Sequence, residues 1–273
     1  MTLDRRALLA ALAASLAAPG LARAASSQFD LPVAGRTSKV TVWTPATPRA
    51  AVVFSHGGNS WPAQYDGLAE WLVGQGYAVY APLHTDSLQM PKDQQKDLQA
   101  AFGDRVADMA TLTGFVAARS PGLPIVAMGH SLGSLIALML GGALEYAAKI
   151  HNPAVKAMVC YSSPGAIPGL INPASFQTLK VPLLMITGDQ DLVPGWVTDW
   201  HAHELPFEGT PVSESYELVV TGGDHKLVAR ADASADLARD VTLQFLQRQL
   251  FASGRPLSLP AGAAASLRSK KAP

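Results

Sequence analysis

Four short stretches of this 273-residue chain carry side chains that together can run nucleophilic acyl transfer. Gly129-His130-Ser131-Leu132-Gly133 frames a serine between two glycines. Gly188-Asp189-Gln190-Asp191-Leu192-Val193-Pro194 offers two acids, and Thr221-Gly222-Gly223-Asp224-His225 ends on a histidine. A serine hydroxyl is inert at its own pKa and needs a base beside it. An imidazole near pKa ~6.5 can take that proton at neutral pH. An acid then holds the imidazole in one tautomer and stabilises its charged form. The fourth stretch, Ser55-His56-Gly57-Gly58-Asn59, has two glycines whose backbone N–H groups can approach a ligand closely. The Gly58 N–H, paired with that of Leu132 just after the serine, makes an oxyanion hole for the developing negative charge.

These residues must be positioned by regular elements, and the apolar pattern supplies them. Strand-like runs are Lys39–Trp43, Ala50–Ser55, Tyr77–Pro82, Ile125–Met128, Lys156–Tyr161, Pro182–Thr187 and Tyr216–Val220. Helical periodicity marks Asp66–Val73, Asp97–Arg119, Ser131–Lys149 and a last helix through Leu237, Val241, Phe245 and Leu250. A short helix is expected near Gly195. The alternation predicts an α/β fold: a mostly parallel central sheet with helices on both faces. The inner strands are continuously apolar, as burial on both faces demands. Ligands in such sheets sit at the carboxyl ends of the strands. All four chemical stretches fall there, after Ala50–Ser55, Ile125–Met128, Pro182–Thr187 and Tyr216–Val220. A strand–turn–helix around Ser131 is the context that gives G-x-S-x-G its meaning.

The chain order of serine, aspartate, histidine, with the glycine-rich loop upstream, resembles the α/β-hydrolase family over essentially the whole chain beyond its N-terminal segment. Ser55–Gly58 and Gly129–Gly133 look like the dienelactone-hydrolase-like and platelet-activating-factor-acetylhydrolase-like esterases. True dienelactone hydrolases carry cysteine where this chain has Ser131. The residues alone leave Asp189 and Asp191 in competition for the acid. The family pattern G-x-x-D-x-x-V/P falls on Gly188, Asp191 and Pro194 and so favours Asp191. The resemblance implies a serine hydrolase cleaving carboxylic esters through an acyl-enzyme, with Ser131, Asp191 and His225 as a triad and no cofactor. Thioester or amide hydrolysis and cofactor-free perhydrolysis are alternatives on the same triad; a binding protein without turnover is another. Residues 162–180, where larger relatives insert a cap, are few, so no large cap domain is expected.

Other residues have humbler readings. His56 braces its loop, and His130 packs beside the serine turn. His84 and Asp86 either touch substrate or hold their loop. Trp61 and Trp196 are candidates to line a substrate pocket, with Ala166, Ile167, Leu170 and Ile171 as one apolar wall. His201 and His203 lack a third ligand, so no metal site is expected. Cys160 is inert packing in a buried strand.

Composition bounds the class. With 48% hydrophobic and 15% charged residues the chain can build a core, and a formal net charge of zero offers no basic face for nucleic acid. One cysteine allows no internal disulfide. Residues 1–24 place Arg5-Arg6 before an Ala/Leu-rich run and end on Ala22-Arg23-Ala24, the form of an export signal with a twin-arginine character. The apolar run is shorter than the ~20 residues that span a bilayer. The expectation is a periplasmic or secreted enzyme, with no membrane association of the mature chain and a small-molecule ester as its partner. Its hydrolase domain spans 25–255, followed by a flexible tail over 256–273.

Overall fold

The computed structural model describes residues 26–172 and 174–270; the export signal expected over 1–24 lies outside them. The strands are β1 (Ser27–Val33), β2 (Arg36–Trp43), β3 (Ala50–Ser55), β4 (Tyr77–Pro82), β5 (Ile125–His130), β6 (Val155–Tyr161), β7 (Leu183–Gln190), β8 (Tyr216–Asp224) and β9 (Ala265–Ser269). They form one sheet in the order β1-β2-β4-β3-β5-β6-β7-β8-β9. The run from β4 through β3, β5, β6 and β7 to β8 is parallel; β1, β2 and β9 join antiparallel. The helices are α1 (Asp66–Gly74), α2 (Leu98–Arg119), α3 (Leu132–Leu140), α4 (Leu205–Gly209) and α5 (Ala233–Phe251). No helix among the described residues is long and apolar enough to cross a membrane.

The central strands are apolar throughout because each feeds two cores. Ile125 and Ala127 of β5 face one apolar layer, with Leu112 of α2 and Leu135 of α3. Val126 and Met128 face the other, with Leu72 of α1 and Phe245 of α5. This alternation on a two-sided sheet follows from the period of two along a strand. Capping sets two helix starts: the Asp97 side chain accepts from the Ala100 N–H at 2.8 Å, and that of Asp232 from the Ala235 N–H at 3.0 Å.

Three expectations differ from the structure. The helix expected over 131–149 ends at Leu140. A Cβ on Gly141 would lie 2.0 Å from Met158 Sδ, and Gly142 takes φ +105°, so the chain turns away where only glycines fit. At Gly195, φ +80°, there is a tight turn closed by a Val193–Val197 bridge rather than a helix; helical geometry begins at a 3-10 turn over Trp200–Glu204. The segment expected as a flexible tail over 256–273 contributes β9, which pairs with β8 from Tyr216–Ser269 to Val220–Ala265. Leu257, Leu259 and Leu267 pack against an apolar layer, and Arg268 meets buried Glu217. The outer edge of β8 is thereby covered.

Residues 162–182 join β6 to β7 in turns, with no helix or strand among the described residues. Ile171 is buried and Ile167 and Leu170 pack on the core, while Ala166 is exposed.

Candidate active site

Ser131 caps the start of α3 with φ 54° and ψ −124°, a left-handed backbone that a non-glycine residue adopts only under strain. The surroundings enforce it. A Cβ on Gly129 would lie 2.3 Å from the Gly133 oxygen, and one on Gly133 would lie 2.0 Å from the Ser55 oxygen. Both glycines are thus required by close backbone approach, between β5 and α3 and between α3 and β3. The Ser131 N–H donates to Tyr161 O at 2.9 Å, and Ser134 Oγ donates to Gly129 O at 2.9 Å and Tyr161 O at 2.6 Å. The turn is pinned while its serine stays half-buried.

Asp191 and His225 meet across the ends of β7 and β8. A Cβ on Gly188 would lie 2.2 Å from the Gly223 oxygen, so the two strand ends approach as closely as backbones can. His225 Nδ1 lies 2.7 Å from Asp191 Oδ1. Asp191 is buried and accepts more: from Ser162 Oγ at 2.5 Å and Thr187 Oγ1 at 2.8 Å, both on Oδ2. Burial alone would raise its pKa, but the bonds from His203, His225 and Ser162 outweigh that and hold the carboxyl far below the usual carboxylate range. Asp189 faces elsewhere, accepting from the Gly222 N–H at 2.7 Å. The geometry therefore gives Asp191, not Asp189, to the histidine.

His130 ties the serine turn to the histidine turn. Its Nε2 donates to His225 O at 2.8 Å, and its Nδ1 accepts from Tyr65 Oη at 2.9 Å. Burial, helped by the neighbouring His225, holds the His130 pKa down to about 3, which fixes it as a neutral ring. Tyr65 Oη in turn accepts from the Gly57 N–H at 3.0 Å. With Gly57 engaged, the Gly58 N–H is the candidate donor of that loop; the other candidate, Leu132, stands at the first position of α3, where N–H groups lack intrahelical partners.

The loop 56–59 rests on a buried polar network that the sequence reading did not assemble. Arg105 of α2, fully buried, binds Asp86 through two 2.7 Å contacts. It also donates to His56 O at 2.7 Å and Gly57 O at 2.9 Å. Asp86 Oδ2 accepts from the Asn59 N–H at 2.8 Å. Burial opposes the charge on Asp86, and the Arg105 guanidinium reverses that, leaving its pKa lowered. His56 braces the loop: its Nδ1 donates to Gly57 O at 2.8 Å, and its Nε2 accepts from the His84 N–H at 3.1 Å. His84 is buried between Ser55 Oγ at 2.9 Å and Asp108 Oδ2 at 2.8 Å, so it and Asp86 hold the loop from beneath. Only the i, i+3, i+4 burial of α2 could have placed Arg105 inward, beside Ala101, Asp108 and Met109.

Trp61 lines a groove of about 710 Å³ with Gln28, Arg36, Thr41, Leu83 and Met90, whose lining includes none of Ser131, Asp191 and His225. Trp196 is 66% exposed on the turn after β7. Cys160 is buried, which pushes its thiol pKa up and leaves it unreactive. His203, noticed in the sequence only beside His201, instead lies behind Asp191. Ligand atoms of Asp191, His203 and His225 lie within 4.8 Å of one another, near enough for one cation. Both histidines also lie within hydrogen-bond distance of the same oxygen, Asp191 Oδ1.

Comparison with known proteins agrees with this architecture. Residues 46–173 match the family described as serine aminopeptidase, S33. The monoacylglycerol lipase of Mycolicibacterium smegmatis is 34% identical over 122 residues, 42% of this chain and 42% of that protein. The human monoglyceride lipase is 29% identical over 140 residues, 51% of this chain and 42% of that protein. A monoglyceride lipase homolog of Monkeypox virus is 31% identical over 98 residues, 36% of this chain and 35% of that protein. The matched stretch thus spans less than half the length of these curated relatives. Among solved structures, a cold-adapted esterase from an Arctic intertidal metagenomic library superposes with TM-score 0.59 at 18% identity, covering 82% of this chain and 93% of that one. A Thermus thermophilus protein gives 0.58 at 17%, covering 83% and 98%. The strand order, the strained serine turn and the superposition on these solved structures together give this chain the α/β-hydrolase fold.

Proposed function

We propose that the chain is a serine hydrolase of carboxylic esters, with Ser131, His225 and Asp191 as its triad. The observation that carries this reading is the 2.7 Å bond from His225 Nδ1 to Asp191, on a histidine whose carbonyl is held by the ring of His130, next to Ser131. Nδ1–H bonded to a carboxylate leaves Nε2 free to accept a proton. Ser131 Oγ attacks the ester carbonyl as Nε2 takes its proton, and the Gly58 and Leu132 N–H groups receive the oxyanion. Nε2–H then protonates the departing alkoxide, and an acyl-Ser131 remains. Water, deprotonated by the same nitrogen, releases the acid and restores the serine. Asp191 stays ionised throughout and stabilises the imidazolium of each step. The relatives named as monoglyceride lipases and the esterase neighbour support an ester substrate.

The test is turnover of p-nitrophenyl esters of graded acyl length and of a monoacylglycerol, with Ser131→Ala as control. Hydrolysis abolished in Ser131→Ala is the expected result; equal hydrolysis by both proteins refutes the assignment. A second reading, amide cleavage, is favoured by the aminopeptidase description of the matching family. Aminoacyl-p-nitroanilides turned over faster than esters would establish it.

We also propose that residues 1–24 direct export and are removed after Ala24, on the strength of Arg5-Arg6, the apolar run and Ala22-Arg23-Ala24. N-terminal sequencing of protein from the periplasm tests this: a chain starting at Ala25 supports it, and Met1 retained refutes it.

A further inference from the structure

His203 has a place that neither its sequence neighbourhood nor the triad explains. It sits in the 3-10 turn Trp200–Glu204, and its side chain is 0% exposed. Its Nδ1 is hydrogen-bonded to the carbonyl of Ser163. Its Nε2 lies 3.0 Å from the carbonyl of Asp191 and 3.1 Å from Asp191 Oδ1. Every one of these partners is an oxygen without a proton to give. A neutral imidazole has one N–H and one lone pair, so one nitrogen would present a lone pair to an oxygen lone pair in a site without exposure. Only a ring with a proton on each nitrogen satisfies all the contacts. The fixture is reciprocal, since Ser163 Oγ donates back to His203 O at 3.2 Å.

We propose that His203 is a positioning residue of the triad: a buried imidazolium that locks Asp191 from behind and balances its charge. This rests on the reading of Asp191 and His225 as acid and base. Oδ1 of Asp191 then accepts from two rings, His225 Nδ1 in front at 2.7 Å and His203 Nε2 behind. With Ser162 and Thr187 on Oδ2, the carboxylate has no rotational freedom left. The charge has a consequence for the base. The rings of His203 and His225 are 6.0 Å apart, so a fixed cation stands beside the base. The titratable groups facing the His203 ring are Asp191 after β7, His225 after β8 and His130 at the end of β5. Burial disfavours a charged His203, but the bonds to the Asp191 carboxylate and to the Ser163 and Asp191 carbonyls outweigh it, and its pKa is raised.

The test is nuclear magnetic resonance of the full chain labelled with ¹⁵N-histidine, with the His203 signals identified by their loss in His203→Gln. Two protonated ring nitrogens on His203 at pH 7 are expected. A bare nitrogen there overturns the proposal. In parallel, kcat and KM of His203→Gln are measured across pH. We expect kcat to fall about tenfold or more with KM nearly unchanged. The acid limb of kcat/KM should move up by about one pH unit, which a purely structural role would not do. Wild-type kcat and an unshifted limb overturn it. So does activity lost to a chelator and restored by zinc alone, which would make the cluster a metal site. Should His203→Gln fail to fold, the wild-type spectrum, assigned by triple-resonance correlation to the His203 backbone, decides alone. Undiminished turnover in Ser131→Ala refutes the hydrolase reading and leaves the spectrum untouched, so the two failures are distinguishable.

Discussion

Replacing Asp191 by asparagine and by alanine should separate its charge from its hydrogen bonds. The native carboxylate accepts from two ring N–H groups on Oδ1 and two hydroxyls on Oδ2. Asparagine can keep its oxygen toward His225 and His203 and place its NH₂ against Ser162 and Thr187. Those hydroxyls can turn and accept instead, so the hydrogen bonds survive, and the fold loses only the charge pairing with the buried His203 ring, about 3–5 kcal/mol. What is lost is the negative charge that stabilises the imidazolium form of His225. Such a change costs about 10³ to 10⁴ in kcat, or about 4–5 kcal/mol at the transition state. Alanine leaves the His225 N–H and the two hydroxyls without that acceptor, while His203 Nε2 keeps the carbonyl of residue 191. The two hydroxyls can rotate toward other oxygens, but the His225 N–H is fixed by its turn. At about 1–3 kcal/mol for that stranded donor, alanine costs about 1–3 kcal/mol more than asparagine, against a usual stability of about 5–15 kcal/mol. The assay is kcat at saturating p-nitrophenyl ester beside urea unfolding followed by circular dichroism. Asp191→Asn should show almost no turnover and a lowered midpoint, and Asp191→Ala a midpoint lower still. Wild-type kcat in Asp191→Asn, or an equal loss in Asp189→Asn, refutes the reasoning.

Gly133→Ala puts a Cβ 2.0 Å from the Ser55 carbonyl, backbone against backbone, so the protein should lose its cooperative thermal transition or fail to express in soluble form. Arg105→Met strands Asp86 and the carbonyls of His56 and Gly57; by the scale of a broken buried pair it should lower stability by about 3–5 kcal/mol, read by urea unfolding. Glu217 is buried beneath Arg268, and burial raises its pKa to about 7, above its unfolded value. The folded state therefore holds the proton longer, so this group favours folding fully below about pH 4.5 and loses that contribution as pH rises through 7. Glu217→Gln should flatten the stability profile between those values, measured by unfolding at a series of pH, and an unchanged slope would contradict the assignment.

The sheet was legible because its central strands are apolar on both faces, so Ala50–Ser55 and Tyr77–Pro82 begin and end where the pattern does. The edges were not. β1 (Ser27–Val33) carries Pro32, which cannot donate to a ladder, and β9 has three charged or hydroxyl residues to two apolar ones, so both read as loop until a neighbouring strand is known. Within the site, the glycines of 129–133, 188 and 223 were visible as residues, but their necessity is a matter of what lies opposite. Gly133 faces Ser55, far away in the chain, and Gly188 faces Gly223. His203 was hidden for the same reason. Its partners, Ser163 and Asp191, belong to other connections, and only a pair with His201 was visible locally.

The serine turn is held from three directions, and this accounts for how it tolerates its strain. From β3, the Ser55 carbonyl packs against Gly133; from β6, the Tyr161 carbonyl receives the Ser131 N–H and the Ser134 hydroxyl. From the turn after β8, the His225 carbonyl receives His130 Nε2. A left-handed non-glycine residue costs of order 1–3 kcal/mol and persists only where its surroundings over-determine it. Two fixed acceptors and one close backbone contact, on three neighbouring elements, meet that condition. They also couple the parts: the bond to His225 O sets His225 relative to Ser131, and the same His130 ring, through Tyr65, fixes the Gly57 N–H of the loop 56–59. A shift of any one of these connections must move Ser131, His225 and the loop 56–59 together. The strain of Ser131 and the placement of its partners thus have a single structural cause.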